Sequence, residues 1–166
     1  VYAELFARAL GEELWRSPGN VPGLIRLLRA YFARHAVFGD LLRQHMQAIF
    51  ERFHFALQHK RLSSRAFELL NATLRLLPPD FYHQYFQTAV ALALARIQAK
   101  KVVEMEKELV ISLSLFVHLQ QDPEALPGVL ERIQPGLLPT LLTRVWLPSA
   151  TKVLLLQRRK VCVVGL

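Results

Sequence analysis

A single cysteine, Cys162, stands among the 166 residues, so no internal disulfide can form, and such usage fits an intracellular, reducing compartment. No Cys-x-x-Cys pair, Gly-rich phosphate loop or Gly-x-Ser-x-Gly elbow occurs, which removes the commonest nucleotide-binding and hydrolytic motifs. The longest apolar stretches, 109–119 and 86–97, are broken by Ser112, Ser114 or Gln87 and fall short of the ~20 residues that cross a bilayer. Residues 1–10 also lack the basic start and cleavage site of a signal peptide. Acidic residues are the minority, 13 against 21 Lys and Arg, and the resulting net charge of +8 attracts acidic partners at long range. These charges are scattered; the one dense run, Arg158-Arg159-Lys160, reads as a solvated helix end.

Hydrophobic residues make up 52% of the chain, enough to bury a substantial core, and glycine is sparse at seven residues. The abundance of Leu, Ala, Arg and Gln favours helix, because unbranched side chains lose little rotamer freedom there. The fold class expected is therefore all-α. Leu5, Phe6, Ala9 and Leu10 share a face that Gly11 ends. Ser17-Pro18-Gly19-Asn20 is a turn with Asn20 as cap, and Val21, Leu24, Ile25, Leu28, Tyr31 and Phe32 make the stripe of a helix over 20–35. Gly39-Asp40 predicts a turn before a helix to about His59, and Ser63 or Ser64 predicts the cap of another that ends at Leu77, before Pro78-Pro79. A helix over 80–99 comes next, with Asp80 suiting its positive end.

The stretch Val110-Ile111-Ser112-Leu113-Ser114-Leu115 alternates like a strand, yet the helix-favouring 104–108 before it predicts a helix over about 102–120. Asp122-Pro123 opens the next helix, to about Ile133; Pro135, Pro139 and Pro148 break or kink the chain beyond it, and a last segment starts near Gln157. Helix starts recur near 20, 63, 104 and 157, each interval holding a second helix. The period is that of HEAT or armadillo helix pairs, with approximate repeats 20–60, 62–101 and 102–156 and partial repeats at 1–11 and 157–166. Val1 falls within a helical pattern and Leu166 within an apolar run, so the chain reads as one fragment of a longer solenoid whose exposed ends favour self-association.

Candidate chemistry is thin. His35, His45, His54, His59, His83 and His118 show no metal-ligand spacing, and Cys162 sits in an apolar setting that raises a thiol pKa. Glu104, Glu106 and Glu108 read as a solvated face, Asn71-Ala72-Thr73 lies in mid-helix, and Phe81, Tyr82, Tyr85 and Phe86 read as interhelical packing. No enzyme, metal or cofactor is expected, nor a small-molecule substrate or membrane insertion. The residues alone leave a protein-interaction scaffold and a basic nucleic-acid-binding repeat as alternatives.

An ordered set of segments is more specific: Trp15-Arg16, Gly19-Asn20-Val21-Pro22, Leu24 and Arg26-Leu27-Leu28; Leu69-Leu70-Asn71, Pro78-Pro79 and Gln84-Tyr85; Arg96-Ile97-Gln98; Ile133-Gln134-Pro135 and Pro148; and Lys160-Val161-Cys162-Val163-Val164-Gly165. Together they resemble the C-terminal part of the CAS family of nuclear export receptors, in the importin-β superfamily. The resemblance implies a HEAT-repeat solenoid that shuttles between nucleus and cytoplasm and carries importin-α outward together with Ran-GTP. It implies no catalysis by the receptor itself. Within that architecture, periodicity places Arg43, Gln47, Gln84, Gln87 and Arg132 on the second helix of each pair, facing the concave side, as the expected partner contacts.

Overall fold

Proline and the apolar stripes set most helix boundaries in the computed structural model, which describes residues 1–100, 102–153, 160 and 162. Among the described residues all regular structure is helical. In chain order the elements are α1 (Tyr2–Ala9), α2 (Glu12–Trp15), α3 (Val21–Phe32), α4 (His35–Gln58), α5 (Ser63–Leu76), α6 (Pro79–Ala99), α7 (Val103–Gln120), α8 (Ala125–Ile133), α9 (Leu137–Leu141), a π-helical turn (Leu142–Trp146) and α10 (Leu147–Ala150). The chain divides into two compact units, Val1–Ala89 and Val90–Leu166.

In the first unit, α3 buries Val21, Ile25, Leu28 and Phe32 completely, the positions its stripe predicts. Each such side chain contributes roughly 1.5–3 kcal/mol relative to exposure. Helix α5 rests on both α3 and α4, with the Phe53 and Phe67 rings meeting edge to face at 6.3 Å. Helices α1, α4 and α6 lie side by side and run in the same sense. Tyr2 meets Phe38 and Phe6 meets His45, at 6.1 and 5.5 Å between ring centroids. Further along, Arg43 meets Asp80 at 2.6 Å and Phe50 stacks on Tyr85 at 5.1 Å. Contact partners that advance together along two helices mark a parallel pair, as expected for the equivalent helices of neighbouring hairpins.

The turn before α3 is built from the Trp15 to Asn20 stretch. Trp15 is fully buried, and its indole Nε1–H donates to the Ala9 carbonyl at 2.8 Å, which satisfies the one polar group a buried tryptophan brings. Asn20 does not cap α3. Its backbone is already helical (φ −77°, ψ −32°), so its side chain cannot fold back over the first amides; instead Nδ2 donates to the Leu14 carbonyl at 3.3 Å and latches the turn to α2. Ser63 and Ser64 do not cap α5 either, because both lie inside it. Leu62 occupies the cap position, and the Ser63 hydroxyl donates backward to the Lys60 carbonyl at 3.4 Å.

The turn expected at Gly39-Asp40 is a kink instead. Helical geometry is interrupted at Phe38 (φ −104°, ψ 17°), whose ring packs on Tyr31 at 4.9 Å, and the helix then continues to Gln58. Helix α5 does stop before Pro78-Pro79, with Leu77 extended (φ −111°, ψ 144°) as a residue before proline must be. Phe6, Ala9 and Leu10 of the first stripe are buried, but Leu5 is exposed.

In the second unit, α8 packs against α7 and α9, and the π turn and α10 return to α7. Helix α7 is helical throughout, strand-like alternation notwithstanding, and residues 108–116 are buried on every face. An alternating pattern of apolar and small residues suits a helix that no solvent touches, provided the serines are satisfied. Ser112 and Ser114 donate to the carbonyls of Glu108 and Val110, one turn back, at 3.0 and 2.6 Å. The solvated face expected of Glu106 and Glu108 is not found, for at 7% and 8% exposure they share this burial; only Glu104 is open, paired with Lys107 at 3.2 Å. Asp122-Pro123 does not open α8: Glu124 holds the cap position and the helix starts at Ala125, while Asp122 Oδ1 accepts the Glu124 N–H at 2.9 Å in the turn before it.

Pro135 and Pro139 act less sharply than expected. Pro139 sits in the first turn of α9, where a missing N–H costs nothing, and the break falls at Gly136, whose φ of 72° is left-handed. Pro148 is accommodated by the π turn ahead of it. The Leu147 N–H reaches the Leu142 carbonyl five residues back, and this wider turn spares the clash a proline ring makes with the carbonyl four back. Of the last expected segment, from Gln157, only Lys160 and Cys162 are among the described residues, so the Arg158-Arg159-Lys160 run lies mostly outside them.

Candidate functional site

Chemistry-bearing side chains are largely engaged in holding the helices. Nδ1 of His35, His45 and His59 lies 3.2, 2.9 and 2.7 Å from the carbonyls of Phe32, Leu41 and Phe55 respectively, so each ring is tied to its own chain segment. His54 meets Gln58 at 3.2 Å. Among the described residues no three His, Cys, Asp or Glu side chains converge as metal ligands, and no helix is long and apolar enough to cross a membrane. Cys162 is fully buried; burial pushes its thiol pKa up, and hydrogen bonds from Ser114 and its own backbone only moderate the rise. A protonated, enclosed thiol is a poor nucleophile. The aromatic group expected to pack does so: Phe81, Tyr82 and Phe86 are buried, and Tyr85 stacks on Phe50 with an interplanar angle of 15°.

One stretch of exposed polar surface lies where α4 and α6 adjoin. Arg43 and Gln47 stand one turn apart on α4, and both are exposed. The Arg43 Nη2 donates to Asp80 Oδ2 at 2.6 Å while its guanidinium carbon lies 4.0 Å above the Phe81 ring. Gln47 donates to Glu51 at 3.1 Å. Gln84 is exposed on α6, one turn beyond the Asp80 that Arg43 grips, whereas Gln87 is half-buried. The structure thus brings Arg43, Gln47 and Gln84 onto one ridge spanning two parallel helices. Arg132 is exposed on α8, in the second unit.

Periodicity alone does not reveal Asp80 and Phe81 as partners of Arg43. Asp80 reads in sequence as a favourable charge at a helix start, yet its carboxylate reaches across to α4 instead. A fixed Arg on an aromatic face is preorganised: its charge is partly neutralised, its plane is held, and its remaining N–H groups are presented outward. Arginine and aromatic side chains are enriched where protein surfaces meet.

The whole chain, residues 1–166, matches the family model described as CAS/CSE protein, C-terminus. It is similar to the exportin-2 of Pagrus major (27% identical), of Xenopus laevis (28%) and of Homo sapiens (26%), each over 166 residues. Each alignment takes in 99% of this chain and 17% of the relative, so the chain spans about a sixth of the length of these proteins. A solved structure, the exportin Cse1 in its cargo-free, cytoplasmic state, superimposes with a TM-score of 0.83 over 98% of this chain and 17% of that one, at 21% identity. That likeness supports the all-α fold of HEAT-type helix pairs.

Proposed function

From the premise that this chain belongs to the CAS/CSE protein family, whose C-terminal region it matches end to end, we propose that it forms the C-terminal part of a nuclear export receptor. The receptor carries importin-α from nucleus to cytoplasm in company with Ran-GTP and shuttles between the two compartments. It makes and breaks no covalent bonds. The observation that carries this reading is the end-to-end match to one region of one family; the parallel stacking of α1, α4 and α6 supports it, since stacked hairpins build the long surfaces that large protein cargoes need.

The repeats proposed are 20–60, 62–101 and 102–156, with partial repeats at 1–11 and 157–166. Arg43, Gln47, Gln84 and Gln87 are proposed as concave, cargo-facing contacts of the first unit, and Arg132 as one of the second. Cooperativity is a matter of linkage: if cargo and Ran-GTP favour the same arrangement of repeats, each raises the other's affinity, typically by ~1–3 kcal/mol.

The test is capture of importin-α by the full-length protein, with and without Ran locked in its GTP form. Stimulated capture is expected. Binding of importin-α that is indifferent to Ran-GTP, or absent, moves the chain to a general protein-interaction scaffold of the same fold.

A further inference from the structure

Cations are spread along the whole chain, but acids are not. The last acidic residue is Glu131, and from Arg132 to Leu166 the sequence holds six Lys and Arg against no Asp or Glu, which accounts for most of the net charge of +8. Glu131 itself is occupied, its Oε1 accepting the Gly136 N–H at 2.9 Å. Within this stretch Arg144, on the π turn, and Lys152, just beyond α10, are exposed. Among the described residues neither forms an ion pair, whereas Arg16, Arg43, Arg65 and Lys107 each hold a carboxylate. A segment whose charges are all of one sign attracts an anionic partner at long range, and nothing on the segment itself competes for its cations.

The surroundings of these two cations select the kind of anion. Thr140, Thr143, Leu147 and Pro148 are exposed with them, while Leu141, Trp146 and Ser149 are buried, so the exposed set lines the outer side of α9, the π turn and α10. Leu147 lies between Arg144 and Lys152 in the chain and is 50% exposed, an open apolar contact amid the charges. The threonine hydroxyls are turned back on their own backbone: Thr143 donates to the Pro139 carbonyl at 2.8 Å and Thr151 to that of Pro148 at 3.0 Å. A phosphodiester backbone is held by many cations and donors set along it. Two cations about two helical turns apart with an apolar side chain between them fit instead a protein segment whose carboxylates flank an apolar residue. At helical rise the cations lie roughly 12 Å apart, a span that an extended segment covers in about four residues.

We propose that this face, centred on Arg144, Leu147 and Lys152, docks a short acidic segment of a protein partner, with carboxylates on either side of an apolar side chain. Open ion pairs contribute little singly, so the charges steer and orient the segment while Leu147 supplies the short-range contact. The face lies wholly in the second unit, uses none of Arg43, Gln47 or Gln84, and stands whether or not importin-α is the cargo.

The experiment titrates the full-length protein against three fluorescent probes: a Glu-rich peptide with a central Leu, the same peptide with Ser in place of that Leu, and a single-stranded DNA oligonucleotide of equal charge. The Leu peptide is expected to bind most tightly. Arg144→Gln with Lys152→Gln is expected to weaken its binding roughly five- to tenfold and to flatten the salt dependence. Leu147→Ser is expected to weaken it severalfold at every salt concentration and to remove the preference for the Leu peptide over the Ser peptide. Arg26→Gln with Arg29→Gln, an equal charge change on α3, leaves it unchanged. All these positions are exposed, so each variant should keep the melting temperature of the native protein. Undiminished affinity for the Leu peptide in the Arg144/Lys152 double variant overturns the proposal. Equal binding of the two peptides, or tighter binding of the oligonucleotide than of the Leu peptide, overturns it as well.

Discussion

The Tyr31 hydroxyl donates to the Tyr2 carbonyl at 2.8 Å, joining the end of α3 to the start of α1 across 29 positions of sequence. Tyr31 is 4% exposed, and its ring lies 4.8 Å from that of Phe6. Tyr31→Phe keeps the ring and removes the hydroxyl, leaving the carbonyl to find water, so a loss of roughly 1 kcal/mol in denaturant unfolding is expected.

Burial first, and the neighbouring Tyr2 second, raise the Tyr31 pKa above its ordinary value. The folded state therefore holds that proton more tightly than the unfolded one. Its contribution to stability is complete below the unfolded tyrosine pKa near ~10 and declines as pH rises through the higher folded value. Unfolding midpoints measured on both sides of that pH should fall more steeply for the native protein than for Tyr31→Phe; parallel declines would contradict this.

Gln121 ends α7 in the left-handed region, with φ 52°, and Gly136 starts α9 with φ 72°. A left-handed side-chain-bearing residue costs roughly 1–2 kcal/mol, offset in part by the greater freedom glycine loses on folding. Gln121→Gly is expected to stabilise by up to about 1 kcal/mol and Gly136→Ala to destabilise by about as much. Opposite shifts in thermal melting midpoint are the check.

Cys162 is enclosed, and the indole of Trp146 donates to its carbonyl at 3.4 Å. With the thiol pKa pushed up by burial, modification by an aromatic disulfide reagent at neutral pH should be slow and should accelerate with denaturant in step with unfolding. Rapid labelling of the native protein would show that this part of the second unit opens readily.

Arg43 and Asp80 are both about half exposed, so their ion pair contributes little to stability, ~1 kcal/mol or less. Its proposed importance is to hold the guanidinium over Phe81. Arg43→Gln combined with Gln84→Ala is expected to leave the melting temperature nearly unchanged while reducing importin-α capture severalfold. A stability loss without a binding loss would assign the ridge a purely structural role.

Helix boundaries are legible wherever a turn cluster or proline coincides with the edge of a stripe, as at Asn20-Val21-Pro22 and at Leu77-Pro78-Pro79. Capping is not. Asn20 and Ser63 are cap-forming residue types, but which residue leaves helical geometry first depends on how the preceding segment approaches, and Leu14 and Lys60 supply competing acceptors. The kink falls at Phe38, one residue ahead of the glycine that marks a turn in the sequence, where the Phe38 ring packs on Tyr31. Glu106 and Glu108 look solvated in sequence because charge is an average guide to exposure, whereas α7 is enclosed all round. Of the ridge, periodicity identifies Arg43, Gln47 and Gln84. It cannot identify the pairing of Arg43 with Asp80, 37 positions away, which exists only once α4 and α6 lie together.

The enclosure of α7 also limits where the second unit can evolve. With residues 108–116 shut off from water on all sides, nothing there can be touched by another molecule, and a changed side chain in that stretch alters only whether the unit folds. Among the described residues of this unit, novel specificity must be written on the exposed positions outside that stretch, so sequence drift among related chains should concentrate there while the middle of α7 tolerates little beyond swaps of equal volume.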